Sequence, residues 1–239
     1  MKAIAVFQHT EVGAPGSIPS ILAGLGRQVH HIRVHAGEFP QMRLESLGGL
    51  VFLGGSMSAH DSLPWISEEL EWIRQAEALG IPVMGHCLGS QLVALALGGR
   101  VHRMHRAEIG WRPLQTGGDE PSSQWWGDWS ERQLLAFQWH QDTFVPPDGA
   151  QQIARSIDCE HQGFVVGGRH VLLQSHLEIT PDLVRLSVDR NGAQLRREIA
   201  AGNPAVSPLD DTTANLEART LARTAALRCL YTRWVQACP

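Results

Sequence analysis

The sequence predicts an α/β protein in which an open, mostly parallel sheet carries helices on both faces. Short apolar segments of strand length alternate with amphipathic segments of helix length as far as Gly99, a pattern typical of parallel sheets that are covered on both sides. Glycines follow the helical segments and end them. The 239 residues, 43% hydrophobic and 18% charged, are enough for one sizeable domain with an extended tail.

Hydrophobic periodicity predicts the individual elements in order. Strands are expected at residues 2–8, 28–34, 47–53, 81–85 and 171–174. Helices are expected at residues 18–26, 65–79 and 88–97. The second helix is clearly amphipathic, because its apolar residues follow helical spacing: Ile66, Leu70, Ile73 and Ala76.

The remaining chain has two different compositions. Residues 103–168 are rich in tryptophan, polar residues and turns, which predicts shorter, partly antiparallel strands and loops. After Ile179 we expect a helix at 181–201, a loop rich in proline and aspartate at 202–211, and a long helix at 213–237. We therefore divide the chain into a domain at 1–182 and a helical C-terminal extension at 183–239, which packs against the domain or forms a subunit interface.

Composition argues against several classes of function. The net charge of −4 gives no indication of binding to nucleic acid or to an anionic membrane surface. We also expect no membrane contact, because no apolar stretch is long enough to span a bilayer and the run at 3–7 is too short for a signal peptide. The cysteines lack CxxC spacing, which favours reduced thiols and a cytoplasmic location; they are Cys87, Cys159, Cys229 and Cys238.

The segment from Ile81 to Gln91 is the most informative part of the sequence. An apolar strand runs into Gly85-His86-Cys87-Leu88-Gly89 and then into a helix, which is the arrangement of a nucleophile elbow. The glycines fit a turn too tight for side chains, and the start of the helix favours a thiolate at Cys87. The pattern alone fits a buried structural cysteine equally well, but its place at the end of a strand favours a nucleophile.

A second segment supplies a general acid and base. His176 and Glu178 lie two residues apart after an apolar strand, so in extended backbone they share one face while Leu177 points to the other. A carboxylate beside an imidazole fixes its tautomer and stabilises the imidazolium. One histidine among twelve means little by itself, but this pair after a cysteine elbow predicts a Cys87–His176–Glu178 triad for amide hydrolysis.

Taken in order, the motifs resemble the class I glutamine amidotransferase domain, especially the stand-alone type related to GMP synthases. The matching segments are Gly54-Gly55, Gly85-His86-Cys87-Leu88-Gly89-Ser90-Gln91, Trp139-His140-Gln141-Asp142, Cys159-Glu160-His161-Gln162-Gly163-Phe164 and His176-Leu177-Glu178. They extend over about residues 1–182. The resemblance implies a flavodoxin-like fold, with a glutamine amidotransferase-like catalytic domain at 1–182 followed by the helical extension at 183–239.

The resemblance also implies roles for single residues. Cys87 would attack the side-chain amide of glutamine and form a thioester, His176 would act as base and acid, and Glu178 would orient His176. The backbone N–H groups of Gly55 and Leu88 would form the oxyanion hole. The other matching positions would bind the substrate: Gly54, Gln91, Trp139 and His140.

The chain departs from the family pattern at two places. Where the family often has Phe-His-Pro-Glu, this chain has Ser175-His176-Leu177-Glu178. Where the third strand is often followed by Gly-Gly-Pro, this chain has Gly54-Gly55-Ser56. Neither change removes a reacting group, and both affect the packing beside the base and the fit of the substrate.

The expected reaction is hydrolysis of glutamine, or of a related γ-glutamyl amide, without a cofactor. The residues after 182 are too few for a synthetase module, so released ammonia would pass to a separate synthetase subunit or have no acceptor; a homo-oligomer is left open. There is no HExxH or paired-cysteine motif, so we expect no metal site. Two alternatives are a γ-glutamyl peptidase or hydrolase on the same scaffold and a non-catalytic regulatory domain.

Overall fold

The computed structural model describes residues 1–239, with the exception of the side chain of Pro121. The described chain forms nine strands: β1 (Ala3–Gln8), β2 (Val29–Arg33), β3 (Leu47–Phe52), β4 (Val83–His86), β5 (Arg100–Thr116), β6 (Gln133–Val145), β7 (Gln151–Arg155), β8 (Gly163–Val166) and β9 (His170–Leu173). Its α-helices are α1 (Ile18–Gly24), α2 (Pro64–Ala78), α3 (Leu88–Ala96), α4 (Glu120–Trp126), α5 (Pro181–Ala200), α6 (Leu209–Thr213) and α7 (Leu216–Trp234). None of these described helices combines the length and the apolar character that crossing a lipid bilayer requires.

The strands form one sheet in the order β2-β1-β3-β4-β9-β8-β7-β5-β6. Neighbours from β2 to β9 are parallel, and neighbours from β9 to β6 are antiparallel. The predicted α/β fold is confirmed, and the elements predicted up to residue 97 lie within two residues of the observed ones. The carboxyl ends of β3, β4 and β9 meet at one edge of the parallel half, where open α/β sheets bind their ligands.

Each face of the sheet carries its own hydrophobic core. Phe7 of β1 and Val83 of β4 pack with α2 and α3 on one face. Val6 and Met84, their neighbours in the same strands, pack with α1 and α7 on the other face. This division follows from the two-residue period of a strand. Because β4 is buried on both faces, the turn that follows it has a fixed position.

The middle of the chain differs from the prediction for residues 103–168. The antiparallel pairing is confirmed, but the expectation of short strands is wrong: β5 has 17 residues and β6 has 13. The first half of β5 is largely exposed and rich in arginine and histidine, so it lacks the apolar alternation by which a strand is identified. A register shift between Arg103 and Glu108 interrupts the pairing and weakens the pattern further.

The C-terminal extension differs from the prediction at one point. The expected loop at 202–211 is wrong in its last part, because α6 begins at Leu209. Asp210 and Asp211 stand in its first turn, where negative charge stabilises a helix. The helices expected at 181–201 and 213–237 are confirmed as α5 and α7 with small changes at their ends. Since α5 begins at Pro181, it spans the boundary placed at residue 182, and that boundary stays a prediction.

The end of α7 is anchored in the sheet. The Trp234 ring is fully buried and lies so close to β3 that a Cβ on Gly49 would be 2.7 Å from it. The Arg27 guanidinium, in the turn after α1, donates to the carbonyl oxygens of Val235 and Cys238, each at 2.9 Å. The extension therefore packs against the domain, which is one of the two arrangements that the sequence allowed.

Loss of the Trp234 ring should destabilise the fold strongly. For Trp234→Ala we expect the free energy of unfolding to fall by about 3–5 kcal/mol, because a large buried side chain leaves a cavity that cannot collapse fully. Urea denaturation measures this change. Leu221→Ala is the control on the same helix, since Leu221 is 73% exposed. Similar small losses in both variants would contradict the anchoring role of Trp234.

Candidate active site

Cys87 occupies a strained turn between β4 and α3. Its backbone has φ 50° and ψ −110°, a conformation that residues with side chains seldom adopt and that marks sites where the surrounding structure enforces strain. The Cys87 N–H donates to the carbonyl oxygen of Leu173 in β9 at 2.7 Å. Behind the turn, Gly89 lies directly against β3, where a Cβ would collide with the carbonyl oxygen of Phe52. The predicted strand–turn–helix arrangement around Cys87 is confirmed.

His176 and Glu178 follow β9 in a short extended segment. The His176 N–H donates to the Phe137 carbonyl oxygen of β6 at 2.8 Å, which fixes the backbone of this segment. The His176 Nδ1 lies 2.7 Å from the Glu178 Oε1, and the thiol of Cys87 is a second hydrogen-bond partner of the ring. Leu177 points away from them into the core. The structure thus brings together the three side chains that the sequence indicated.

Electrostatics in this buried group favour an imidazolium beside a carboxylate. Burial alone would lower the pKa of His176, but the charges of Glu178 and Cys87 and hydrogen bonds to both raise that pKa well above its usual range. Burial would raise the pKa of Glu178, but the charges and hydrogen bonds of His176 and His86 hold it well below its usual range. Glu178 is therefore ionised at any physiological pH, and His176 retains a proton that it can donate.

Two glycines bring the end of β3 against the triad. A Cβ on Gly54 would lie 2.8 Å from the His176 Cε1 and 3.6 Å from the Cys87 Cβ. A Cβ on Gly55 would lie 2.8 Å from the Leu88 Cδ2. Because both positions lack side chains, the backbone approaches the thiol closely. Leu88 is the first residue of α3, and the N–H groups in the first turn of a helix are free to bind an anion.

A pocket of about 300 Å³ opens over the thiol of Cys87. Eight of the nine residues that the resemblance singled out line this pocket, namely Gly54, Gly55, Cys87, Leu88, Gln91, Trp139, His140 and His176. The ninth, Glu178, reaches the pocket through its hydrogen bond with His176. The structure therefore places the whole set in one site, while their individual roles stay predictions.

Gln91 and Trp139 connect the pocket to neighbouring elements. The Gln91 side-chain amide of α3 donates to the Asp142 carbonyl oxygen at 3.1 Å and to the Gln174 Oε1 at 3.3 Å. The Trp139 indole N–H of β6 donates to the Gln194 Oε1 of α5 at 2.9 Å. The walls of the pocket are thus joined by hydrogen bonds between side chains of different elements.

His140 belongs to a buried polar network beside the pocket. Its Nε2 lies 3.1 Å from the Glu108 carboxylate, which also accepts from Ser156 at 3.0 Å and from Gln162 at 2.7 Å. The ligand-type atoms of Glu108, His140 and Cys159 lie within 4.8 Å of one another. Burial raises the pKa of the Cys159 thiol to about 12, and the carboxylate already has three donors. The cluster therefore has the features of a structural hydrogen-bond network.

Sequence reasoning missed residues that reach the pocket from α5 and β5. Ser187, Asn191 and Gln194 of α5 line the pocket, with the spacing of one helical face. Arg103 of β5 lies in the same lining, and its guanidinium donates to the Gln141 Oε1 at 2.7 Å. Polar faces of this kind occur on most surface helices, so the spacing on α5 was not informative until that helix was seen to lie beside Trp139.

Comparison with known proteins identifies the family. Residues 16–192 match the family model of Glutamine amidotransferase class-I. The chain belongs to this family. A glutamine amidotransferase from Methylobacillus flagellatus is 31% identical in sequence, and its crystal structure superimposes with a TM-score of 0.94 over 100% of this chain and 96% of that chain. The resemblance drawn from the motifs is confirmed.

Relatives of the chain carry names that describe different activities. Gamma-glutamyl peptidase 4 of Arabidopsis thaliana is 28% identical over 72% of this chain and 70% of its own length. The protein that forms one part of the glutamine-hydrolyzing GMP synthase of Saccharolobus solfataricus is 26% identical over 65% of this chain and 78% of its own length. The chain is thus similar both to a peptidase of γ-glutamyl compounds and to a component of a synthetase that hydrolyses glutamine.

Removal of the Glu178 charge should lower the pKa of His176. In Glu178→Gln the ring stays buried while the main group that raises its pKa is lost, so the imidazolium should lose its proton at a lower pH than in the wild type. An NMR titration of His176 measures the shift. Glu77→Gln is the control, because Glu77 contacts a different buried histidine, His170, at 2.6 Å. An unchanged His176 titration in Glu178→Gln would contradict this electrostatic description.

Proposed function

We propose that the protein hydrolyses the γ-amide of glutamine, or of a closely related γ-glutamyl amide, through a thioester on Cys87. The observation that carries the proposal is the meeting of Cys87, His176 and Glu178 at one pocket, with Nδ1 of the imidazole 2.7 Å from the carboxylate. Membership of the class-I glutamine amidotransferase family supports the same reaction. The intact triad argues against a purely regulatory domain.

In the first half of the reaction, the Cys87 thiolate attacks the carbonyl carbon of the γ-amide. The negative charge passes to the carbonyl oxygen, where the N–H groups of Gly55 and Leu88 stabilise it. The His176 imidazolium then donates its proton to the amide nitrogen, the C–N bond breaks, and ammonia leaves. Glu178 stabilises the imidazolium and orients the ring throughout.

In the second half, a water molecule attacks the thioester. His176, now neutral, accepts a proton from the water as the new C–O bond forms. The bond from carbon to sulfur breaks, the Cys87 thiolate is restored and paired with the imidazolium, and glutamate leaves. The strained backbone of Cys87 holds the sulfur at the mouth of the elbow during both steps.

The side of the pocket near β5 and β6 suits the amino-acid end of the substrate. The guanidinium of Arg103 and the carboxylate of Asp142 both belong to the lining, so one can pair with the α-carboxylate and the other with the α-ammonium group. Gln91, bonded to the Asp142 carbonyl, holds this end of the pocket in place. Gly54, Trp139 and His140 complete the surface around the substrate.

Ammonia would be used by a separate synthetase subunit. The chain resembles one component of a GMP synthase, and the residues after 182 pack into the core around the sheet and do not form a second module. A synthetase partner would therefore dock from outside. A reaction without an acceptor, in which ammonia escapes to solvent, uses the same residues.

A second candidate is hydrolysis of γ-glutamyl peptides, and the α5 wall of the pocket favours it. Ser187, Asn191 and Gln194 offer neutral polar groups at a position that ammonia, as a leaving group, does not require. A peptide amide or carboxylate beyond the scissile bond could bind such groups. Gamma-glutamyl peptidase 4 of Arabidopsis thaliana, a relative of this chain, has a name that describes this activity.

The reaction can be tested by an ammonia and amine release screen. We expect turnover with glutamine or with γ-glutamyl dipeptides, and a fall of kcat of at least about a thousandfold in Cys87→Ala, since the thioester route depends on the sulfur. Cys159→Ala is the matched control, because Cys159 is a buried thiol outside the triad. Equal turnover in wild type and Cys87→Ala would reject a cysteine mechanism.

Asn191→Ala should separate the two candidate substrates. If α5 binds the leaving group, kcat/KM for a γ-glutamyl dipeptide should fall by about fivefold to tenfold, the loss of one hydrogen bond, while kcat/KM for glutamine stays the same. Arg197→Ala, an exposed position on the same helix, serves as the control. A dipeptide that is cleaved equally well by Asn191→Ala and wild type would argue against a leaving-group site on α5.

A further inference from the structure

A second histidine contacts Glu178 at the oxygen that the triad does not use. The His86 Nδ1 lies 3.3 Å from the Glu178 Oε2, while the Oε1 of the same carboxylate is 2.7 Å from the His176 Nδ1. His86 precedes Cys87 at the end of β4 and is fully buried. Neither His86 Nδ1 nor Glu178 Oε2 has another hydrogen-bond partner among the described residues. Each is therefore the partner that the other requires.

The other nitrogen of His86 reaches the C-terminal helix. The His86 Nε2 lies 3.1 Å from the hydroxyl oxygen of Tyr231, and the two rings are nearly parallel with centroids 6.2 Å apart. Tyr231 is the only tyrosine of the chain and is fully buried in α7. It lies outside residues 16–192, the part that matches the family model. A chain of contacts thus runs from the extension to the triad.

The ionised carboxylate determines the direction of these hydrogen bonds. Glu178 can only accept, so the His86 atom that faces it must be a protonated Nδ1. The Nε2 of a neutral ring is then an acceptor, and the Tyr231 hydroxyl donates to it. Burial, together with the charges of Glu178 and Cys238, raises the pKa of Tyr231 well above its usual range, so the hydroxyl keeps its proton.

We propose that Tyr231 and His86 are positioning residues that hold Glu178, and through it His176, in the geometry needed for catalysis. By donating to Nε2, Tyr231 selects the tautomer of His86 that donates to Glu178. In the other tautomer, a lone pair on Nδ1 would face the carboxylate and repel it. The C-terminal helix then contributes to turnover as well as to the core. The effect on turnover rests on the proposed function, whereas the tautomer does not.

The kinetic test compares two variants that each remove one buried hydroxyl from α7. Tyr231→Phe removes the hydroxyl that contacts His86, and Thr220→Val removes one that donates only within the helix, to the Leu216 carbonyl at 2.8 Å. For Tyr231→Phe we expect kcat to fall by about fivefold to tenfold, the scale of one lost hydrogen bond, with KM unchanged because no contact to substrate is lost. Thr220→Val should keep both values.

A spectroscopic test needs no substrate. Nitrogen-15 NMR of the imidazoles distinguishes the two tautomers of His86. In the wild type we expect a proton on Nδ1, and in Tyr231→Phe a mixture in which Nε2 is protonated. This measurement also separates the two proposals: if the wild type turns over no γ-glutamyl substrate, the proposed function fails, but the tautomer still decides whether Tyr231 controls His86.

A rescue variant completes the test. In His86→Asn the amide nitrogen takes about the place of the imidazole Nδ1 and can still donate to Glu178, but no atom reaches Tyr231. We expect His86→Asn to retain more activity than His86→Leu, and Tyr231→Phe to cause no further loss in the His86→Asn background. Thermal unfolding of each variant confirms that it is folded at the assay temperature.

Three results would overturn the proposal. One is a Tyr231→Phe variant with wild-type kcat and an unchanged His86 tautomer. Another is an equal loss of activity in Tyr231→Phe and Thr220→Val, which would show that α7 acts only through packing. The third is a proton on the His86 Nε2 in the wild type, since Tyr231 would then accept from His86 and could not select the tautomer.

Discussion

The site depends on one buried negative charge, the carboxylate of Glu178. Burial disfavours the ionised form, and the charges and hydrogen bonds of His176 and His86 overcome that cost and keep the pKa well below its usual range. The same carboxylate supplies the largest contribution that raises the pKa of His176. Without an ionised Glu178, the imidazole would be neutral and free to rotate, and the thiol of Cys87 would have no oriented partner.

The fold supplies this arrangement by bringing three strand ends together. β3 ends in two glycines that leave room for the His176 ring, β4 ends in the strained turn at Cys87, and β9 leads into the segment with His176 and Glu178. Each of these strands is covered on both faces, by α2 and α3 on one side and by α1 and α7 on the other. The family domain and the C-terminal helices thus share one core, and in our proposal they also share the site through Tyr231.

Local patterns were sufficient to predict the parallel half of the fold and the triad. The elbow around Cys87 and the alternation that places His176 beside Glu178 both depend on neighbours in sequence, so periodicity reveals them. The long strand β5 was missed because its exposed first half has no apolar alternation. The α5 wall and the contact from His86 to Tyr231 were missed because they join residues far apart in the chain, and 145 positions separate that last pair. No local pattern encodes such a contact.

The most direct test of the account is detection of the covalent intermediate. The protein is mixed with glutamine or a γ-glutamyl dipeptide, quenched in acid within one turnover, and examined by mass spectrometry of its peptides. We expect the peptide that contains Cys87 to carry one γ-glutamyl group in the wild type, and no such adduct in Cys87→Ala. Turnover without an adduct on Cys87, or an adduct on Cys159 instead, would contradict the proposed mechanism.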